Sequence, residues 1–270
     1  MDRRVRWWIS RVILWGWFLA GATALPQQVL PEYRIVDLTH RMHARIPVWP
    51  GTPSMVLEPL ATFEQNGYFA NRLCMAEHFG THMDAPVHFR AGQWDPAAIP
   101  VRHLVAPAVV IDIRGKVTRN PDAVLTVRDI RRWEQRHGTI PSGSVVILYT
   151  GWAERWNDPD AYRNTDAEGT MHFPGFSGKA VQFLVKERHI VGLGIDTLSV
   201  DPGISRDFAA HHAGARANVY NLENLTNLDR LPPKGTVLIV APLKLAGGSG
   251  TPVRVFALVP KNRQPERTAR

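Results

Sequence analysis

Short stretches of alternating or continuously apolar residues outnumber stretches with helical spacing in this chain. They predict strands at residues 34–38, 56–63, 68–76, 108–113, 144–149, 190–195, 236–241 and 253–259. Helical spacing runs from the capping residue Thr126 to Gly138, and a second helix is predicted to begin at Ser177 or Gly178. Strands and helices alternate without segregating. This order favours a mixed α/β domain with one large sheet, open or curled into a barrel, and helices packed outside it.

The composition is that of an ordinary globular protein. The chain has 270 residues, of which 44% are hydrophobic and 21% are charged, which is enough for one domain with a sizeable core. The formal net charge of +8 is concentrated at the two ends, in residues 1–24 and in a basic tail at 261–270. The body between them is nearly neutral, so no nucleic-acid partner is expected. The single cysteine, Cys74, cannot form an intrachain disulfide and is predicted to be a buried thiol.

The first 24 residues are predicted to be a targeting segment. Four arginines lie between residues 3 and 11, and the fourteen residues 12–25 carry no charge. Residues 22–24, Ala-Thr-Ala, have the small-x-small form of a signal-peptidase site. An apolar run of this length is short for a membrane span, which needs about 20 residues. We therefore expect an exported protein, periplasmic or secreted. An uncleaved membrane anchor is the alternative, because residues 7–9, Trp-Trp-Ile, extend the apolar run.

Three histidines and an aspartate fall within the eleven residues 78–88, H-F-G-T-H-M-D-A-P-V-H. A lone buried histidine is ordinarily a hydrogen-bonded core residue, but burying all four groups unpaired would be costly. Imidazole and carboxylate are the usual ligands of Zn²⁺ and Mn²⁺, so His78, His82 and Asp84 are predicted to bind metal. His88 is a fourth candidate ligand, which could instead stay unligated and transfer protons. A helix would bring the first two histidines to one face, but Gly80 and the following D-A-P indicate an irregular turn.

The pattern H-x-G-T-H-x-D-A-P-x-H resembles the signature of the cyclase family of metal-dependent hydrolases, which includes bacterial kynurenine formamidase and isatin hydrolase. Further segments resemble that family in the same order: D-L-T-H at 37–40, P-V-W-P-G at 47–51, F-P-G-F-S at 173–177, G-I-D-T-L-S at 194–199, His211, E-N-L at 223–225 and N-L-D at 227–229. The resemblance extends from about residue 33 to residue 258. It implies one cyclase-family hydrolase domain over residues 33–260, with a mixed sheet or barrel-like core and peripheral helices.

The resemblance also implies roles that the local sequence leaves open. His211 and Glu223 match the second ligand pair of members with two metals, and Trp49 matches an aromatic residue that lines the substrate pocket. Phe63 and Tyr68 are further candidates for an aromatic wall. The ligand set suits zinc or manganese, as one ion or two. Family membership implies a homo-oligomer as well.

The expected activity is hydrolysis of a C–N bond in a small amide by metal-activated water, with His88 as the proton-transfer group. The segments 196–201, 224–229 and 247–250 are more similar to isatin hydrolases, which favours a cyclic amide or lactone. The alternative is an arylformamidase acting on N-formylkynurenine, which an export signal disfavours because those enzymes serve cytoplasmic tryptophan breakdown. A competitor from another class is an exported, non-catalytic metal-binding protein, which would have no need of His88.

Overall fold

A computed structural model of the chain describes residue 30 and residues 32–261. The predicted targeting segment lies outside these residues, as does the basic tail after Lys261. The strands are β1 Tyr33–Asp37, β2 Val56–Ala61, β3 Ala70–Cys74, β4 His82–Asp84, β5 Val105–Asp112, β6 Val124–Leu125, β7 Val145–Tyr149, β8 Gly175–Phe176, β9 Gly192–Ile195, β10 Tyr220–Glu223, β11 Thr236–Pro242 and β12 Gly250–Pro260.

The helices are shorter and lie between the strands. They are α1 Phe63–Asn66, α2 Val101–Leu104, α3 Arg114–Val117, α4 Val127–His137, α5 Pro159–Arg163, α6 Gly178–Arg188 and α7 Ala209–Ala215, with 3₁₀ turns at Pro86–His88, Trp152–Arg155 and Leu228–Arg230. Among the described residues, no helix is both long and apolar enough to cross a membrane.

Seven strands form a closed mixed barrel. Their order is β12-β11-β5-β7-β9-β10-β4, and β4 pairs with β12 to close the ring. The strands β5, β7, β9 and β10 run parallel, and the remaining pairs are antiparallel. Strand β1 pairs with the later part of β12, beyond the residues that contact β4. The sequence prediction of one mixed α/β domain with a barrel-like core is therefore confirmed.

The alternation of side chains along the strands fills both faces of the barrel wall. On β7, Val145 and Ile147 belong to the cluster inside the barrel, whereas Val146 and Leu148 pack outward against the helices. Both faces of this strand are buried, which explains why its sequence is continuously apolar. The outward side chains meet Ile130 of α4 and other apolar residues of α6.

The two longest helices begin at the residues that the sequence predicts. Thr126 and Asp129 form a capping box at the start of α4, and the helix ends before Gly138. The Ser177 side chain accepts a hydrogen bond from the backbone N–H of Ala180, which caps α6. These caps fix the helices against the outer wall of the barrel.

Strands β2 and β3 form a ribbon that lies apart from the core, and two sequence expectations fail there. Cys74 is exposed instead of buried. Phe63 and Tyr68 are exposed next to this ribbon and line no part of the candidate pocket described below. Alternation correctly predicts paired strands, but it does not determine whether another surface covers them.

Candidate metal centre and substrate pocket

The short strand β4 presents two candidate ligands on one face. Successive side chains of a strand point to opposite faces, so His82 and Asp84 share the outer face while Met83 enters the barrel core. The sequence interpretation of this stretch as an irregular turn is thus wrong for these three residues. It holds just before them, where Gly80 has a φ of 67° and a Cβ atom would lie 3.0 Å from Met42.

Neighbouring elements bring the second ligand pair to the same face. Antiparallel pairing of β4 with β10 places Glu223 directly opposite His82. Helix α7 lies beside β10 and carries His211, whereas the adjacent His212 is exposed to solvent. The side chains of His82, Asp84, His211 and Glu223 are all buried. Residues more than 120 positions apart are therefore brought together by the closure of the barrel.

Asp84 belongs to two groups of candidate ligands. One group is His78, His82 and Asp84, and the other is Asp84, His211 and Glu223; within each group the ligand atoms lie within 4.8 Å of one another. The Oδ1 atom of Asp84 lies 2.6 Å from His78 Nδ1 and 3.3 Å from His82 Nε2. The Oδ2 atom lies 3.0 Å from His211 Nε2. The two oxygens of Asp84 thus face different groups, so this one carboxylate could serve either group of ligands.

The outer nitrogens of two of these histidines are held by acceptors. His82 Nδ1 lies 2.9 Å from the carbonyl oxygen of Gly80, which also accepts a hydrogen bond from Asn224 Nδ2 at 2.8 Å. His211 Nδ1 lies 2.6 Å from Asp201 Oδ2, and the backbone N–H groups of Ala210 and His211 donate to the same carboxylate. Carbonyl and carboxylate oxygens only accept, so both rings must carry a proton on Nδ1. In each neutral ring the Nε2 lone pair then faces the carboxylates.

This donor set fits a divalent cation. Lone pairs and carboxylates facing one another inside a buried site repel unless a proton or a cation lies between them. Burial alone would lower the pKa of His82, but hydrogen bonds to Asp84 and Glu223 raise it to about 10. Burial likewise opposes ionisation of Asp84, yet the surrounding imidazoles hold the pKa of its carboxyl well below the usual range. A cation would displace these tightly held protons, so the residues form a candidate divalent-metal site.

His88 lies beside this group without belonging to either ligand set. It ends the 3₁₀ turn Pro86–His88, and its ring stacks on that of His78 with 4.1 Å between centroids. The distance between its ring centroid and that of His211 is 6.4 Å. Desolvation by the pocket walls lowers the pKa of His88, which keeps the imidazole neutral near neutral pH. This placement suits a group that accepts and returns a proton.

An aromatic pocket of about 300 Å³ opens onto the candidate ligands. Trp49 lies on its wall near Phe208, with ring centroids 6.1 Å apart. Phe89 completes the wall, 5.4 Å from Phe208 and 4.1 Å from the ring of His211. The volume and the apolar walls with a few polar groups at one end are typical of a site for a small organic molecule.

Three residues of this site were not identified by sequence reasoning. Phe89 follows the histidine motif directly and Phe208 precedes α7, but neither position has a local pattern that indicates a pocket. Phe208 also adopts a left-handed backbone conformation, with φ 46°, which is unusual for a bulky side chain and marks a site held by its surroundings. Asp201 lies ten residues before His211, and only the turn between β9 and α7 makes them neighbours.

Comparison with known proteins agrees with this geometry. Residues 36–202 match the Cyclase family model, described as "Putative cyclase". An isatin hydrolase of Roseibium aggregatum is 36% identical over 247 residues, which cover 85% of this chain and 93% of that protein. The chain belongs to the cyclase family.

Other cyclase-family proteins match over similar lengths. A kynurenine formamidase of Geobacillus thermodenitrificans is 28% identical over 81% of this chain and 94% of its own. The solved structure of isatin hydrolase A from Labrenzia aggregata, bound to benzyl benzoate, has a TM-score of 0.81 at 36% identity. It covers 86% of this chain and 95% of that one. These relatives are hydrolases, and the match to them spans the barrel and the candidate metal site.

Proposed function

We propose that this protein hydrolyses the C–N bond of a small cyclic amide, and that isatin is the first substrate to test. The observation that carries the proposal is Asp84, shared by two ligand groups at one end of an aromatic pocket. The aromatic side chains of Trp49, Phe89 and Phe208 would suit a flat bicyclic amide whose carbonyl is directed toward the ligands. The greater identity to the isatin hydrolase, 36% against 28% for the formamidase, favours a cyclic amide over N-formylkynurenine.

The cation and the protein side chains have separate roles in the proposed reaction. One or two ions, zinc or manganese, held by His78, His82, Asp84, His211 and Glu223 would polarise the substrate carbonyl and acidify a water molecule. His88 accepts a proton as the water oxygen bonds to the carbonyl carbon, and it donates a proton to the nitrogen as the C–N bond breaks. The products are a carboxylate and an amine, so opening the ring needs no oxidant or further reactant.

The test is turnover of three substrates before and after removal of metal. The purified protein is stripped with a chelator and assayed with isatin, N-formylkynurenine and an aryl ester, then reloaded with Zn²⁺ or Mn²⁺. We expect isatin turnover to be the highest of the three, to disappear on stripping and to return on reloading.

Each contrary result has a distinct meaning. Full turnover by the metal-free protein would refute the metal-dependent mechanism, and a preference for N-formylkynurenine would make the protein an arylformamidase. A metal-loaded protein that turns over none of the three would support the non-catalytic metal-binding alternative.

We propose further that the chain forms a homo-oligomer through the β2–β3 ribbon. Leu57, Leu60, Phe63, Tyr68 and Phe69 are each more than half exposed in this region. An isolated two-stranded ribbon is marginally stable in water, and an apolar patch of this kind is typical of a protein interface. Sedimentation velocity tests the proposal: we expect a dimer or larger species that Phe69→Glu dissociates, and a monomer for the unaltered chain would refute it.

We also propose export, which rests on the basic and apolar character of residues 1–25. Cleavage after Ala24 would release a free protein that begins at Leu25. Amino-terminal sequencing of the protein from its native host distinguishes this outcome from a membrane-bound chain that begins at Met1. Recovery of the intact chain from the cytoplasm would contradict both forms of the proposal.

A further inference from the structure

The third histidine of the site, His78, has an outer partner unlike those of His82 and His211. Its Nε2 atom lies 2.9 Å from Ser249 Oγ, in the loop between β11 and β12. The same hydroxyl lies 2.5 Å from Glu77 Oε2, and that carboxylate oxygen also accepts the backbone N–H of Ser249 at 2.9 Å. A residue adjacent to His78 in sequence thus contacts it through a serine 171 positions away.

The hydrogen atoms along this chain of contacts can be in only one arrangement. Glu77 Oε2 accepts the backbone N–H of Ser249, and a carboxylate oxygen can only accept. The single hydroxyl hydrogen of Ser249 is therefore donated to Glu77. The remaining contact, between Ser249 Oγ and His78 Nε2, then needs a hydrogen on Nε2. The contact of 2.6 Å between His78 Nδ1 and Asp84 Oδ1 needs a hydrogen on Nδ1 as well in the metal-free chain. A cation would displace that Nδ1 hydrogen and leave the one on Nε2, so that His78 would present its Nδ1 lone pair to the metal.

The loop that carries Ser249 is fixed in place by several contacts. Gly247 donates its backbone N–H to Asp95 Oδ2 at 2.7 Å, and the carbonyl oxygen of Ser249 accepts the N–H of Ala85 at 2.9 Å. A Cβ atom on Gly250 would lie 2.5 Å from His78 Cε1, so the ring packs directly against this glycine. The segment 247–250, whose sequence resembles that of isatin hydrolases, is thus part of the wall behind His78.

We propose that Ser249 and Glu77 are positioning residues that select the Nε2–H tautomer of His78 and aim its Nδ1 atom at the metal. The proposal extends the metal site of the proposed function, on which it rests, and assigns a role to a serine–carboxylate pair. It makes the three imidazoles equivalent in one respect: each has its outer nitrogen held by an acceptor. Partners that orient a ligating histidine in this way typically change metal affinity by about 10- to 100-fold when removed.

The test measures metal affinity without substrate, by competition with a chromophoric chelator on the full chain. We expect Ser249→Ala to weaken binding by about 10-fold or more and Glu77→Gln to weaken it in the same direction. Because both act through one hydroxyl, the double variant should bind no more weakly than Ser249→Ala alone. Ser249→Thr, which keeps the hydroxyl, should restore most of the affinity, and Ser142→Ala at an exposed remote turn should leave it unchanged.

A second readout follows the tautomer itself. In ¹⁵N-histidine spectra of the metal-free chain, the proton on His78 Nε2 should be present in the unaltered protein and lost from its fixed position in Ser249→Ala. If Ser249→Ala does not fold, Glu77→Gln keeps the serine and its packing and decides the question alone. Wild-type affinity in both single variants would overturn the proposal, as would additive losses in the double variant. These outcomes do not depend on isatin turnover, so the proposed substrate and this proposal can fail separately.

Discussion

Replacing Asp84 with asparagine is expected to abolish metal binding and turnover together. The substitution keeps the shape of the side chain but removes the negative charge that both ligand groups share. It also leaves the Nε2 atoms of the buried His82 and His211 rings facing Glu223 without the charge of Asp84 beside it. Removing partners outside the ligand set already costs about 10- to 100-fold in affinity or activity, so the loss here should exceed that range.

Elemental analysis and steady-state turnover measured on the same preparation check this expectation. Glu223→Gln alters only one of the two groups, so it should lose at most one ion and part of the activity. Asp160→Asn changes an exposed carboxylate and should behave as the unaltered chain. Retention of full metal content by Asp84→Asn would show that the shared-ligand assignment is incorrect.

Replacing His88 with alanine is expected to lower kcat while leaving the metal in place. His88 contacts His78 through ring stacking but belongs to neither ligand group. A positioned proton-transfer group contributes about 10²- to 10⁴-fold to a rate, so kcat should fall by an amount in that range. KM should change much less, because the aromatic wall around the substrate remains.

The matched control for His88 is His212→Ala. The ring of His212 is exposed, and its centroid lies 5.3 Å from that of Phe89. The substitution therefore removes an imidazole near the pocket but leaves the proposed proton-transfer group, His88, in place. We expect this control to keep its metal and its kcat. Turnover at the wild-type rate by His88→Ala with full metal occupancy would require another proton acceptor to be found.

The sequence predicts the barrel strands better than it predicts how the site is assembled. Apolar runs of five residues or more, as in β5 and β7, show a clear pattern, and they were located correctly. Strand β4 has three residues, too few for a period, and the glycine and proline around it indicate a turn. The sequence still indicates a candidate metal site there, because clustered histidines and an aspartate are typical metal ligands whatever the local structure.

Contacts between distant parts of the chain explain what the sequence could not predict. The pairing of Asp201 with His211 and of Glu77 with Ser249 depends on how loops meet after the barrel has closed. No local periodicity encodes such contacts. The exposed ribbon is the reverse case, since its strands are predicted from the alternation but its Cys74, predicted to be buried, is exposed. Alternation along the sequence indicates that successive side chains point to opposite faces of a strand. Whether either face is exposed depends on the neighbouring parts of the protein.

The position of strand β4 determines when, during synthesis of the chain, the candidate metal site can form. The strand is held by Gly250–Pro252 on one side and by Asn221–Glu223 on the other, so the ligands cannot converge until nearly the whole chain has emerged from the ribosome. If residues 1–24 direct export, as proposed, the compartment in which the barrel closes determines which cations compete for the site. A chain exported unfolded would take its metal from the surroundings, and one exported folded would carry a cytoplasmic ion with it. Comparing the metal content of the exported chain with that of a chain made without residues 1–24 distinguishes these histories.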